Sequence, residues 1–198
     1  FQWTKILLSI LDDNSILLIE KYSKDFFYYH RIEREPYNFI DIEKAMIDYY
    51  IDSNNKAMYS FMALDILKNR FSIDSLSIEA VSDLIGLVNF TNQIIDDIKD
   101  LSSDLRVGKR SFLIKMSYSY LQSSSSSRIK IYAFVSKDLI RAAISFINNR
   151  LNSIKLCENI NRENVDAFLQ LISFNLNRLR NIETDIKEVL EKNNASSK

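Results

Sequence analysis

Glycine and proline are nearly missing: the chain of 198 residues holds two Gly and one Pro, where average usage would supply roughly 14 and 10. Folds that turn tightly and often, such as sheet sandwiches and barrels, need those residues at their turns. The shortage argues against them and leaves helices. Cysteine is also short. Cys157 has no second thiol in the chain, which removes a disulfide framework, and it reads as a small buried hydrophobe. The one histidine, His30, stands among Phe26, Phe27, Tyr28 and Tyr29. With no other His or spaced Cys to join it, it reads as a packed side chain and not as half of a zinc site. Neither sign of charge is in excess. The 26 basic residues match the 26 acidic ones and no Lys/Arg cluster stands out, so a nucleic-acid partner gripped through its phosphates is not expected. No apolar run is long enough to span a bilayer and no signal peptide is seen, so a cytoplasmic location is expected. A nucleophile elbow, a phosphate-binding loop and a dinucleotide fingerprint are missing too.

What is present suits a helical bundle. Hydrophobic residues make up 46% of the chain, enough to build a core in one domain of this size. The expectation is a single all-α domain over residues 1–198, with 193–198 as a frayed tail. Helical spacing is cleanest near the end, where Val165, Phe168, Leu169, Ile172, Leu176, Leu179, Ile182, Ile186 and Leu190 recur at three and four residues. Upstream, residues 3–11 and 16–34 read as helices, the second stopped by Pro36. Asp41 can cap a long helix whose apolar stripe is broken by the polar run 52–55. Another helix opens at Asp74 or Ser75 and closes at Gly108. Residues 112–121 and 129–156 continue the pattern, and the serine run 123–127 is a loop. The sum is six or seven helices.

Both glycines, Gly86 and Gly108, bracket the segment where chemistry is expected. Residues 91–110 read TNQIIDDIKDLSSDLRVGKR. Asp96, Asp100 and Asp104 are four apart, which on a helix drifts by only about 40° per step, so the three carboxylates are expected along one stripe. Ile94, Ile95 and Ile98 lie among them, so the stretch is not a uniformly solvated face. A row of like charges there is costly without a cation, and an oxygen-only donor set suits Mg²⁺.

The Q-x-x-D-D-x-x-D run of Gln93, Asp96, Asp97 and Asp100 resembles the second aspartate-rich motif of trans-prenyl diphosphate synthases, with Asn92 where those have Phe. Its continuation through Asp104, Gly108 and Lys109 resembles the D-x-x-x-D-x-x-x-G-R run of squalene and phytoene synthases. Lys56 to Ser60 is similar to the K-T-x-x-L helix of prenyl synthases, with Ala57 in place of the Thr. These are branches of the class I isoprenoid synthase superfamily. The resemblance covers roughly residues 42–115 and is specific over 86–110. It implies a helical bundle of the isoprenoid synthase type, lacking its N-terminal helices, in which magnesium draws the diphosphate from an allylic prenyl diphosphate and the cation is trapped or cyclised, as in a prenyltransferase or terpene synthase. It also implies roles: Asp96, Asp100 and Asp104 as metal ligands, Gln93 and Asp97 as catalytic residues, and Lys56, Lys109 and Arg110 on the diphosphate.

The same resemblance implies a first aspartate-rich motif well over 100 residues before the second. Only Asp12 and Asp13 are paired upstream, without an acidic third member, and they read as a helix end or cap. The elements that follow the second motif in chain-elongating synthases, and the metal triad of plant and fungal cyclases, are not found. A second expectation therefore stands beside the first: a helical scaffold or regulatory subunit that keeps the fold without turnover and assembles with a longer synthase subunit, or as a homodimer. A third is an interaction module in which the aspartates are only surface.

Overall fold

The computed structural model describes residues 12–31, 41–71, 73, 75–109, 111–122, 127–154 and 162–195. The expectations for residues 3–11, Pro36, the His30 side chain, Arg110, residues 123–126 and Cys157 lie outside the described residues and side chains. The fold is all-α. Its helices are α1 (Asp13–Arg31), α2 (Ile42–Lys56), α3 (Met58–Phe71), α4 (Ser75–Val107), α5 (Phe112–Tyr120), α6 (Arg128–Phe134), α7 (Ile140–Ser153) and α8 (Arg162–Ala195). One π-helical turn, Val135–Leu139, joins α6 to α7 without a loop.

Local chemistry sets most of the boundaries. Asp12 accepts from the Ser15 backbone N–H at 2.8 Å and so caps α1. Asp41 does the same for α2 through the Glu43 N–H at 2.9 Å, and the Ser127 hydroxyl accepts from the Lys130 N–H at the head of α6. Gly108 has φ +72, the left-handed conformation that ends a helix, and the Lys109 N–H then reaches back to the Asp104 carbonyl at 3.0 Å. The break expected over residues 52–55 falls later, at the Ala57 turn. Asp52 and Ser53 are buried inside α2 instead, because each finds a partner: Lys56 lies 2.9 Å from the Asp52 carboxylate, and the Ser53 hydroxyl donates to the Tyr50 carbonyl.

The long helix α4 runs through the centre, touching α2, α3, α5 and α8. Its buried positions Ala80, Leu84, Leu87, Thr91, Ile94, Ile98 and Leu101 alternate at four and three residues, so one stripe faces inward along its length. Thr91 is the polar member of that stripe. Its hydroxyl accepts at 3.0 Å from the buried Asn175 amide of α8, which also donates to Asn92 at 2.9 Å. Around Phe90 four rings of α2, α4 and α7 meet, with Tyr49, Tyr50 and Phe146 at centroid distances of 5.7, 5.7 and 5.3 Å.

Gly86 is where α4 lets α2 come close. A Cβ at that position would run into the Tyr50 hydroxyl and stand 3.0 Å from the Asn54 amide nitrogen. The Tyr50 ring cannot swing aside easily, since Phe90, Phe146 and the Arg150 guanidinium hold it. Gly86→Ala is therefore expected to destabilise by about 1 kcal/mol net, overpacking of about 1–3 kcal/mol outweighing a helix-propensity gain of about 1 kcal/mol. Urea denaturation measures it. Most of the loss should vanish in a Tyr50→Phe background, where the obstructing hydroxyl is gone.

Candidate functional site

The inward stripe of α4 continues past the apolar core into acids. Phe90, Ile94, Asp97, Leu101 and Asp104 succeed one another at four and three residues, so the two aspartates inherit the direction of the core residues before them. Asp104 is 5% exposed. Asp97 sits half-buried beneath α2, where the Tyr49 hydroxyl donates to one carboxylate oxygen and the Gln93 amide donates to the other at 2.7 Å.

Tyr49 is itself fully buried, stacked on Phe112 at 4.4 Å between ring centroids and edge-on to Phe90. Its donor is thus fixed by packing. Burial and then the charge of Asp97 push the Tyr49 phenol far above its ordinary range, so it stays protonated and remains a donor. Burial pushes the Asp97 carboxyl up. The Tyr49 hydrogen bond, the Lys56 charge and the Gln93 hydrogen bond pull it back down, and Asp104 adds a further push up.

Two lysines close the group from other segments. Lys56, at the end of α2, pairs with buried Asp52 at 2.9 Å and lies near enough to Asp97 to act on its charge. Lys109 follows the left-handed turn at Gly108, which folds the chain back and brings its ammonium 3.3 Å from Asp104. Gln93, Asp97, Asp104, Lys56 and Lys109 are therefore gathered around one end of the α2/α4 contact.

Asp96 and Asp100 are not part of this group. Both are exposed, and Asp96 is engaged 3.6 Å from Lys99 on the outer face. The expected single stripe of Asp96, Asp100 and Asp104 fails because its drift accumulates to about 80° over eight residues, carrying the row from solvent at Asp96 to the interior at Asp104. Arg110 lies outside the described residues. Sequence reasoning missed Tyr49 and Asp52. Both sit on the inward face of α2, and the pairing of Asp52 with Lys56 four residues on was the one signal available for the second.

Magnesium was expected, and the donor set can be tested against it. Among the described residues no three carboxylate, His or Cys side chains come close enough to hold one ion together. Mg²⁺ commonly takes one or two protein oxygens and fills its octahedron with water and phosphate, and Asp97 and Asp104 lie near enough for the charge of one to act on the other. Buried Asp52 and Asp104 and half-buried Asp97 stand against Lys56 and Lys109, an acidic excess that a cation would offset.

No protein-family model matches the chain, and neither a curated protein nor a solved structure does. Among the described residues no helix is long and apolar enough to cross a membrane.

Proposed function

We propose that the protein is a magnesium-dependent class I isoprenoid synthase that binds an allylic prenyl diphosphate at the acid–lysine group, with Asp97 and Asp104, not Asp96 and Asp100, as the metal ligands. The observation that supports this is the burial of Asp97 under Tyr49 and Gln93 beside a lysine from another helix. An inward, desolvated carboxylate with fixed donors is unfavourable unless something cationic neutralises it. In this reading Tyr49 and Gln93 hold the Asp97 carboxylate in one orientation. Lys56 and Lys109 exchange their carboxylate partners for diphosphate oxygens. Bound magnesium would supply Lewis acidity on those oxygens, which makes the diphosphate a better leaving group.

A non-catalytic scaffold or regulatory subunit is the second reading. It is favoured by the packing next to the group, where Phe90 and Phe112 fill the flank of Tyr49.

The test is a thermal shift with magnesium and inorganic diphosphate, followed by turnover of farnesyl and geranylgeranyl diphosphates. Ligand at 100 times its Kd stabilises by about 2.7 kcal/mol, on the order of 5–10 °C in Tm for a chain of this size. Asp97→Asn and Asp104→Asn should each abolish most of that shift, and Asp96→Asn should retain it. Equal shifts in all four proteins, or none in the wild type, would sink the magnesium site. A shift without hydrocarbon or alcohol product would leave the scaffold reading standing.

A further inference from the structure

Away from the acid–lysine group, a cavity of about 590 Å³ opens between α2 and α7, within the size range of small-molecule pockets. Ile42, Met46 and Phe146 give it an apolar floor, and Asn149, Arg150 and Ser153 gather toward the last turn of α7. The apolar floor calls for an apolar ligand body. Arg150 adds a fixed charge at one end: one terminal nitrogen bonds Asp83 at 2.9 Å and the guanidinium carbon lies 5.7 Å from the centre of the Tyr50 ring. Bonded to Asp83 of α4 and to the Tyr50 hydroxyl of α2, the guanidinium is ordered in part before an anion arrives, and with those two bonds made its fork of five N–H donors still has others to offer. Arg141, also in the lining, is a poorer anchor. It sits nine residues away, roughly 13 Å along the helix, its side chain is more exposed than that of Arg150, and its Glu183 partner is shared with Lys187. Glu43 is the one carboxylate in the lining.

We propose that this cavity binds an amphiphile with one apolar chain and one anionic head, the chain along Ile42, Met46 and Phe146 and the head on Arg150 with Asn149 and Ser153 beside it. The site is separate from the proposed magnesium site and does not depend on it.

Isothermal titration of the full chain with dodecanoate, dodecyl phosphate and dodecanol tests the inference, without magnesium present. Saturable binding near one per chain is expected for both anions, and the tighter one identifies the head group. Dodecanol should bind about tenfold more weakly, as should dodecanoate to Arg150→Gln. Ser145→Trp, at an exposed lining position of α7, should fill the cavity and remove binding. Ile47→Trp fills it from α2, so a folding fault in one variant does not decide the matter, and Asp97→Asn should bind dodecanoate as wild type does. Absence of saturable binding, equal affinity for dodecanol and dodecanoate, or unchanged binding in both folded tryptophan variants would overturn the proposal.

Discussion

Phe90→Ala is expected to cost about 3–5 kcal/mol, the range for emptying a large buried aromatic site, and so to remove a large part of the stability an ordinary domain has. Phe90 is fully buried where α2, α4 and α7 meet, in contact with Tyr49, Tyr50 and Phe146. Three of its neighbours are aromatic, and edge-to-face pairs add to simple area burial. Those rings are themselves held in place by others, so the cavity cannot collapse readily. Urea denaturation followed by circular dichroism gives the number. Phe90→Leu, which keeps most of the volume, should lose less than half as much. The same substitution reaches the site. Tyr49 leans on Phe90, and a Tyr49 free to move presents its hydroxyl to Asp97 less well, so in Phe90→Leu any magnesium and diphosphate response should weaken although no ligand has been touched. A Phe90→Ala protein as stable as wild type would show that the aromatic cluster does not hold the bundle together.

How far the sequence foretold this arrangement depends on whether a residue's partner is near it in the chain. Asp41 and Gly108 were readable because a cap and a left-handed helix end are local chemistry. The last helix was readable because its buried Val165, Ile172, Leu176 and Leu179 repeat at helical spacing over many turns. Asp52 and Ser53 misled for the same local reason. Polar residues inside an apolar stripe look like an interruption, and only the folded chain shows that their polar groups are satisfied. The π-helical turn at Val135–Leu139 carries no residue type that marks an extra residue in a turn.

The acidic segment lies between these cases. That it is no uniformly solvated face was legible from its apolar company. Its rotation is legible as well in the stripe from Phe90 through Ile94 and Leu101, which passes through Asp97 and Asp104 and leaves Asp96 and Asp100 outside. A pattern of acids at intervals of four says less about which way the helix faces than the apolar positions around it. The Tyr49 to Asp97 bond was not legible at all, since its two ends are 48 residues apart.

Tyr49→Phe should therefore have an effect that depends on pH in a direction set by Asp97. Burial holds the Asp97 carboxyl above its unfolded value, so the folded state binds this proton more tightly than the unfolded one. Stability from this group is complete below the unfolded pKa and is lost as pH rises through the folded pKa. Above that window the fold carries a desolvated carboxylate, and the Tyr49 hydroxyl is one of the few groups that compensate it. Removing the hydroxyl at pH 7 without magnesium is expected to cost about 1–3 kcal/mol, the range for depriving a buried charged acceptor of its donor. As the pH falls toward the ordinary carboxylate range, Asp97 takes up its proton ahead of an unperturbed carboxyl, the lost bond becomes one between neutral groups, and the penalty at pH 4 should be smaller than at pH 7. Asp97→Asn supplies the control, because an amide of nearly the same volume has no charge to desolvate. It should be at least as stable as wild type at pH 7, and Tyr49→Phe in that background should show no trend between the two pH values. Urea midpoints at pH 4 and pH 7 for the four proteins measure this. Equal Tyr49→Phe penalties at both values would mean that Asp97 does not carry its charge at neutral pH, and the case for a cation at this end of the bundle would go with it.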